Sequence, residues 1–326
     1  YEMQRSLVGS EMCIRDRKKV FSPLTPKLAW QLAAPHTWVA AYVGVLLSGV
    51  YTIAAYSGHV NLVLLGLLLL ICVFMQSSVN VFNDYFDYTK GTDSLENSSE
   101  DAFDAVLVYN NLNPKSVLAL AIGYLVCAGI IGVYIVYSCG WIPLLIGLIG
   151  AIVVVIYSGG KTPISYLPIG EFISGIVMGS LIPLACTYVL SGVLDFFVLV
   201  LSIPLAVGIG MILATNNTCD IEKDIDAKRK TLAVVLGRTE ATNVYRLVIM
   251  LWIILTIILV GILYTKGLPI MAFMLIGIFP VARALFKNPL IQQSREAAMS
   301  QIVMLNVIIS AFYCSAILVN NTVIWF

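Results

Sequence analysis

Charge is scarce in this chain. Only 11% of its 326 residues are Asp, Glu, Lys or Arg, against roughly 25% in an ordinary soluble domain, so a water-soluble globule is excluded. Histidine is scarcer still: His36 and His59 stand alone and well apart, too few for a histidine-built metal centre. Seven cysteines are scattered without a single C-x-x-C pair, which argues against both a disulfide framework and a zinc site. A net charge of +1 gives no basic surface for nucleic acid, so no nucleic-acid partner is expected.

Apolar sequence fills the space that charge leaves. It makes up 60% of the chain and falls into runs bounded by Gly, Pro or charge. Each run is near the ~20 residues that a helix needs to cross ~30 Å of hydrocarbon. The runs predict an all-α integral membrane bundle of nine transmembrane helices, over 37–56, 60–82, 117–137, 141–157, 169–190, 196–215, 244–264, 268–286 and 302–319. Residues 18–326 read as one transmembrane domain. Residues 1–17 are mixed and too polar for a signal peptide. Their stretch SLVGSEMCIRDR resembles a translated sequencing adapter, so they read as an artefact or else a disordered tail.

Orientation follows from the cations. With the N-terminus inside, the inner loops carry Lys90, Lys115, Lys161, Lys223, Lys228, Arg229, Lys230, Arg238, Lys287 and Arg295, while Lys266 is the outer exception. This bias predicts a multi-pass protein of the cell membrane with its N-terminus in the cytoplasm. Nearly all carboxylates share the same side, Asp195 excepted, and a positive-inside rule does not explain them.

Those carboxylates gather in two segments. The first ends the second helix: Asn80, Asn83, Asp84 and Asp87, then Lys90 and Asp93, with Gln76 one turn earlier. At helical spacing Gln76, Asn80, Asn83 or Asp84, and Asp87 form a polar stripe that should face the bundle interior or water rather than lipid. The second follows the sixth helix: Asn217, Asp220 and Asp224, each about one turn from the next. One such cluster is an ordinary solvated helix end. Two at the same depth would repel unless a cation joined them, and all-oxygen donors suit Mg²⁺.

At these residues the chain resembles the UbiA superfamily of membrane prenyltransferases. Asn83 and Asp87 look like its Asn-x-x-x-Asp motif, and Asp220 and Asp224 like its Asp-x-x-x-Asp motif. The stretches NDYFDYTKGTD, NNTCDIEKDIDAKRKTLAVVLGR and YSGGKTPISY, with Gly170-Glu171 and Pro35-His36-Thr37, look closest to the 1,4-dihydroxy-2-naphthoate polyprenyltransferases of menaquinone synthesis. Some features of that branch are missing: Gly91 stands where a third Asp is common, Ala34 where an Arg often precedes Pro35, and Tyr109 in a loop that is often basic.

The resemblance implies Mg²⁺-dependent transfer of a polyprenyl group from an allylic diphosphate to an aromatic acid acceptor, at a cytoplasmic site in the bilayer. It assigns Asn83, Asp87, Asp220 and Asp224 to the metal, with Asp84, Asp93 and Asn217 beside them. Asp87, Asp220, Lys161 and Tyr157 become the expected catalytic residues. Asn80, Lys161, Arg229, Lys230, His36 and Glu171 become the expected substrate contacts. Four of the latter have a plainer reading: membrane anchors for Lys161 and Arg229, helix-start polar groups for His36 and Glu171. Gly147, Gly150, Gly175 and Gly179 either open a tunnel for the prenyl tail or let helices pack closely. The rival functions are a prenyltransferase for 4-hydroxybenzoate or homogentisate, and an ion-coupled transporter.

Overall fold

The structure is a computed structural model that describes residues 21–57, 59–93 and 105–321. The reading of residues 1–17 lies outside it. The described residues are helical apart from turns and one isolated bridge between Ser22 and Leu112.

A short helix α1 (Pro26–Ala33) leads through a 3-10 turn into α2 (Val39–Thr52). The long α3 (Leu62–Lys90) follows, then the single turn α4 (Val106–Tyr109), α5 (Pro114–Cys139) and α6 (Ile142–Ser158). Next come α7 (Gly170–Ile176), α8 (Ile182–Ser191), α9 (Phe197–Leu201) and α10 (Ile203–Cys219). The chain closes with α11 (Ile221–Asp226), α12 (Leu232–Leu236), α13 (Arg238–Leu263), α14 (Leu268–Lys287) and α15 (Arg295–Asn321). Side chains set the starts: Asn61 accepts from the amides of Val63 and Leu64, Asn113 caps α5 before Pro114, and Thr25 caps α1 before Pro26. These are the residue types that satisfy the free N–H groups of a first turn.

Among the described residues, seven helical stretches are long and apolar enough to cross a membrane, whereas α6 and α10 have 17 residues each. The expected count of nine spans is therefore not reached at full length, since α6 and α10 are apolar but short. Pro204 explains one shortfall. It lacks the N–H that would continue the ladder, so α9 and α10 part at Ser202. Three other starts move earlier than expected: α5 begins at Pro114, α13 at Arg238 and α15 at Arg295. Polar first turns look like loop in a hydropathy reading, though they are helical here.

Helices α2, α3, α5, α6 and α8 pack as neighbours, and α15 packs on α2, α10, α13 and α14. The last helix thus closes the bundle against the first span. The larger core gathers Leu47, Ile249, Trp252, Met274 and Tyr313 from α2, α13, α14 and α15. Outward positions such as Ile130, Val133 and Ile276 are strongly exposed, a surface that suits lipid rather than water. Inside, polar side chains tie helix to helix: Ser48 donates to the Pro183 carbonyl (3.1 Å), Ser78 to Ala121 (2.8 Å) and Asn306 to Gly208 (3.1 Å). Such bonds replace the hydrophobic drive that lipid cannot supply between helices.

The glycines divide. A Cβ on Gly175 would fall 2.5 Å from the Ala206 carbonyl oxygen, and one on Gly179 2.3 Å from the Ala206 Cα. Backbone contact between the α7 turn and α10 is what these two permit, so they serve packing. A Cβ on Gly147 meets nothing within 4 Å. Gly179→Ala should cost about 1–3 kcal/mol through forced helix separation and lower the melting temperature of the detergent-solubilised protein. Gly147→Ala should leave it unchanged. Equal melting for the two variants would refute the packing role.

Candidate active site

Both acidic segments reach one end of the bundle, and one residue joins them. Helix α3 stops at Gly91, whose φ of +74° suits glycine. The amides of Thr92 and Asp93 then turn back onto the Asp87 carbonyl (2.9 and 3.2 Å). Past α10, the Asp220 backbone leaves helical geometry and α11 carries Asp224. Lys228 adopts a left-handed φ of +57°, and the Arg229 amide then bonds the Asp224 carbonyl (2.8 Å). This tight return puts the Arg229 guanidinium between the motifs. Its Nη2 donates to Asp87 Oδ1, and its Nη1 lies 3.5 Å from Asp224 Oδ1. Its plane lies 4.8 Å from the Tyr166 ring centroid.

Two further carboxylates also have a cation. Lys223 Nζ lies 2.8 Å from Asp93, and Arg295 Nε 3.2 Å from Asp220. Asp87, Asp93, Asp220 and Asp224 are all buried. Asn83 donates to Asp87 Oδ2 (3.2 Å) and accepts from the Ser158 hydroxyl (2.9 Å). Asn217 donates to Glu171 Oε1 (2.8 Å). Among the described residues no three carboxylate, His or Cys groups already form a metal cluster. The donor chemistry still fits magnesium: every candidate offers oxygen, and none sulfur or imidazole. The positive charge that such a cluster needs is here supplied by Arg229, Lys223 and Arg295.

Beside the motifs opens a cavity of about 480 Å³, lined by Lys90, Thr92, Lys161, Tyr166, Asp226 and Lys228 among others. Lys90 donates to the Ser158 carbonyl (2.7 Å) and lies 4.9 Å from the Tyr166 ring centroid. The Tyr166 hydroxyl meets Thr92 at 3.0 Å. Three lysines against the one carboxylate of Asp226 give this hollow a positive lining.

Two expected site residues are placed elsewhere. Asp84 is buried, and its two oxygens accept from the amides of Val106 (3.1 Å) and Leu107 (3.2 Å). It caps α4 instead of joining Asp87, because one step along a helix turns the side chain by ~100°. Asn80 donates to the Ala33 carbonyl (2.9 Å) and to Thr37 (2.8 Å), latching α3 to the α1–α2 hinge. His36 is exposed on that hinge. Lys161 lines the cavity, while Lys230 is exposed and its amide bonds the Tyr166 carbonyl (2.9 Å). Tyr157 stands near the start of α7, since a Cβ on Gly170 would sit 3.7 Å from its hydroxyl. Lys90, Ser158 and Arg295 were not anticipated at the site; their nearness depends on packing between helices far apart in sequence.

A helical membrane bundle bearing facing Asn/Asp motifs at one end has the architecture of an intramembrane prenyltransferase. The profile of the UbiA prenyltransferase family matches residues 42–308, and the chain belongs to that family. It is similar to the 1,4-dihydroxy-2-naphthoate octaprenyltransferase of Bacillus subtilis (strain 168), with 37% identity over 67% of this chain and 68% of that protein. It is also similar to the UbiA prenyltransferase domain-containing protein 1 of Danio rerio, with 29% identity over 69% of this chain and 66% of that one. In fold it is similar to a solved UbiA homolog from Archaeoglobus fulgidus, with a TM-score of 0.64, 14% identity and coverage of 89% and 98% of the two chains. That structure is described as bound to DMAPP and Mg²⁺. Family membership sets aside the ion-coupled transporter.

Burial pushes the Asp224 carboxyl up to about 6 against the pull of Arg229, and Asp220 adds to the push. Its folded pKa thus lies above the unfolded value near 3.9. An acid raised in this way favours the folded state at low pH, and that contribution fades as pH rises towards the folded value. Asp224→Asn should therefore stabilise the metal-free protein at pH 7.5, by on the order of 2 kcal/mol. The difference should fall by roughly half at pH 5, inside the window between about 3.9 and 6, and close only below that window. Melting in EDTA at both pH values checks this, and a variant less stable than the parent at pH 7.5 contradicts it.

Proposed function

We propose that this protein transfers a polyprenyl group from an allylic diphosphate to an aromatic acid at the inner face of the cell membrane, with 1,4-dihydroxy-2-naphthoate as acceptor. The observation that carries the reading is the bridge from Asp87 through Arg229 to Asp224. It brings the two motifs to one place, beside a lysine-lined cavity. Similarity to the Bacillus naphthoate octaprenyltransferase supports the acceptor, and the described ligands of the Archaeoglobus homolog support the diphosphate and the metal. The inner-face placement rests on the loop cations, and residues 18–326 are taken as the single catalytic domain.

Asn83, Asp87, Asp220 and Asp224 would hold Mg²⁺, with Asp93 and Asn217 close to them; Asp84, spent on α4, is left out. Bound with the diphosphate, Mg²⁺ supplies Lewis-acid charge that eases departure of the leaving group. Lys90, Lys161 and Lys228 around the cavity, with Arg229, supply fixed positive charge where negative charge develops. Arg229 exchanges its carboxylate partners for the arriving phosphate oxygens. The rings of Tyr157 and Tyr166 offer π-faces to the allylic cation, and the apolar bundle shields that cation from water. Glu171 holds Asn217 in place through its Oε1, and we assign its other oxygen to orienting the acceptor. Ala34 and Tyr109, where basic residues are common in the naphthoate branch, favour a second reading in which the acceptor is 4-hydroxybenzoate or homogentisate.

Asp87→Ala and Asp220→Ala should each reduce prenyl transfer by ~100-fold or more while the protein still inserts. EDTA should stop turnover and Mg²⁺ restore it. Mass spectrometry of the lipid products, with purified protein, a prenyl diphosphate and a panel of aromatic acids, names the acceptor. Undiminished product from either variant would end the metal assignment; product with another acid alone would select the second reading.

A further inference from the structure

Two arginines stand where local preference argues against them. Arg238 is the first residue of α13 and Arg295 the first of α15. The dipole at a helix N-terminus favours carboxylates and disfavours cations. A residue that breaks a local rule needs a compensating contact elsewhere, and both find it at the C-terminal end of α10. Arg238 Nη1 donates to the carbonyls of Thr218 and Leu290, and its Nη2 to Glu222 (2.5 Å). Cations suit that end of a helix, where carbonyls lack partners.

Arg295 reaches the second motif itself. Its Nε and Nη2 both donate to Asn216 Oδ1 (2.8 and 2.5 Å), and the Nε lies 3.2 Å from Asp220 Oδ2. The arginine side chain is 24% exposed and that of the aspartate 8%. Asp220 sits at the end of α10 with non-helical φ and ψ of −101° and 19°, although its amide still bonds the Asn216 carbonyl (3.0 Å) and its carbonyl accepts from the Asp224 amide (2.8 Å). The turn before Arg295 is firmly knotted. Ser294 Oγ donates to Asn288 Oδ1 (2.7 Å), as does the amide of Leu290 (2.9 Å), and Leu290 is fully buried at a left-handed φ of +54°. A fixed turn thus presents a planar, rigid donor to the carboxylate at the kink between α10 and α11.

We propose that Arg295 is a positioning residue for the second motif, locking Asn216 and the Asp220 carboxylate into one arrangement that is ready for a divalent cation. The inference rests on the reading of Asp220 as a metal ligand. Its sign is distinctive. As a mere positive charge, Arg295 opposes a metal, and removing it should tighten metal binding. As a positioning group it favours the metal, and removing it should weaken binding, by about tenfold if it behaves like other groups that orient a metal ligand.

The test is Mn²⁺ titration of the full-length protein in detergent with geranyl diphosphate and no acceptor, reading free Mn²⁺ by electron paramagnetic resonance. Arg295→Met should raise the Mn²⁺ Kd about tenfold. Arg295→Lys, which keeps the charge and loses the planar fork, should raise it severalfold and carries the test if the methionine variant does not fold. Asp220→Asn is measured alongside. Normal Mn²⁺ binding by Asp220→Asn would remove the ligand reading itself. Weakened binding there, with parental or tighter binding in the Arg295 variants, would overturn this inference alone. A lowered melting temperature at an unchanged Kd would do the same, since it would make Arg295 a brace for the fold only.

Discussion

Carboxylates of like charge cannot be buried side by side at the end of an apolar bundle without positive charge among them. That constraint organises this end of the molecule. Asp87 and Asp224 come from helices more than a hundred residues apart in sequence, and the Arg229 guanidinium lies between them. One guanidinium paired with both carboxylates sets the mutual placement of α3 and α11 and not only their charge balance. Lys223 and Arg295 complete the balance at Asp93 and Asp220.

The tight turn that makes this possible is local. Lys228 accepts a left-handed backbone so that Arg229 can fold back on Asp224. Strain of this kind, on the order of 1–3 kcal/mol, persists where the surroundings over-determine it. Here the surroundings are the ring of Tyr166 on one side and two carboxylates on the other. The same ring carries Lys90, so one tyrosine face organises two cations from different segments.

Much of this was legible in the residues. Long apolar runs imposed a helical bundle, because lipid offers no partners to the backbone. The spacing of Asn83, Asp87, Asp220 and Asp224 marked two helix ends with a common task. The finer assignments within each stripe were less secure. Neighbours on a helix can face opposite ways, so Asp84 reads like a ligand in sequence and caps α4 in space. Asn80 likewise lies on the stripe yet ties the α1–α2 hinge. Lys90, within the first segment, and Arg295, an inner-loop charge, were given no part in the site. Nothing near either residue in sequence announces Ser158 or Asp220 as a partner; only the packing of distant helices does.

The capping by Asp84 has one more consequence. The amides of Thr92 and Asp93 bond the Asp87 carbonyl, and those of Val106 and Leu107 bond the Asp84 carboxylate. Two separate segments are therefore fastened to a single turn of α3. A displacement of that turn would carry α4 and the 92–93 return with it, so the first motif and its immediate surroundings move as one piece.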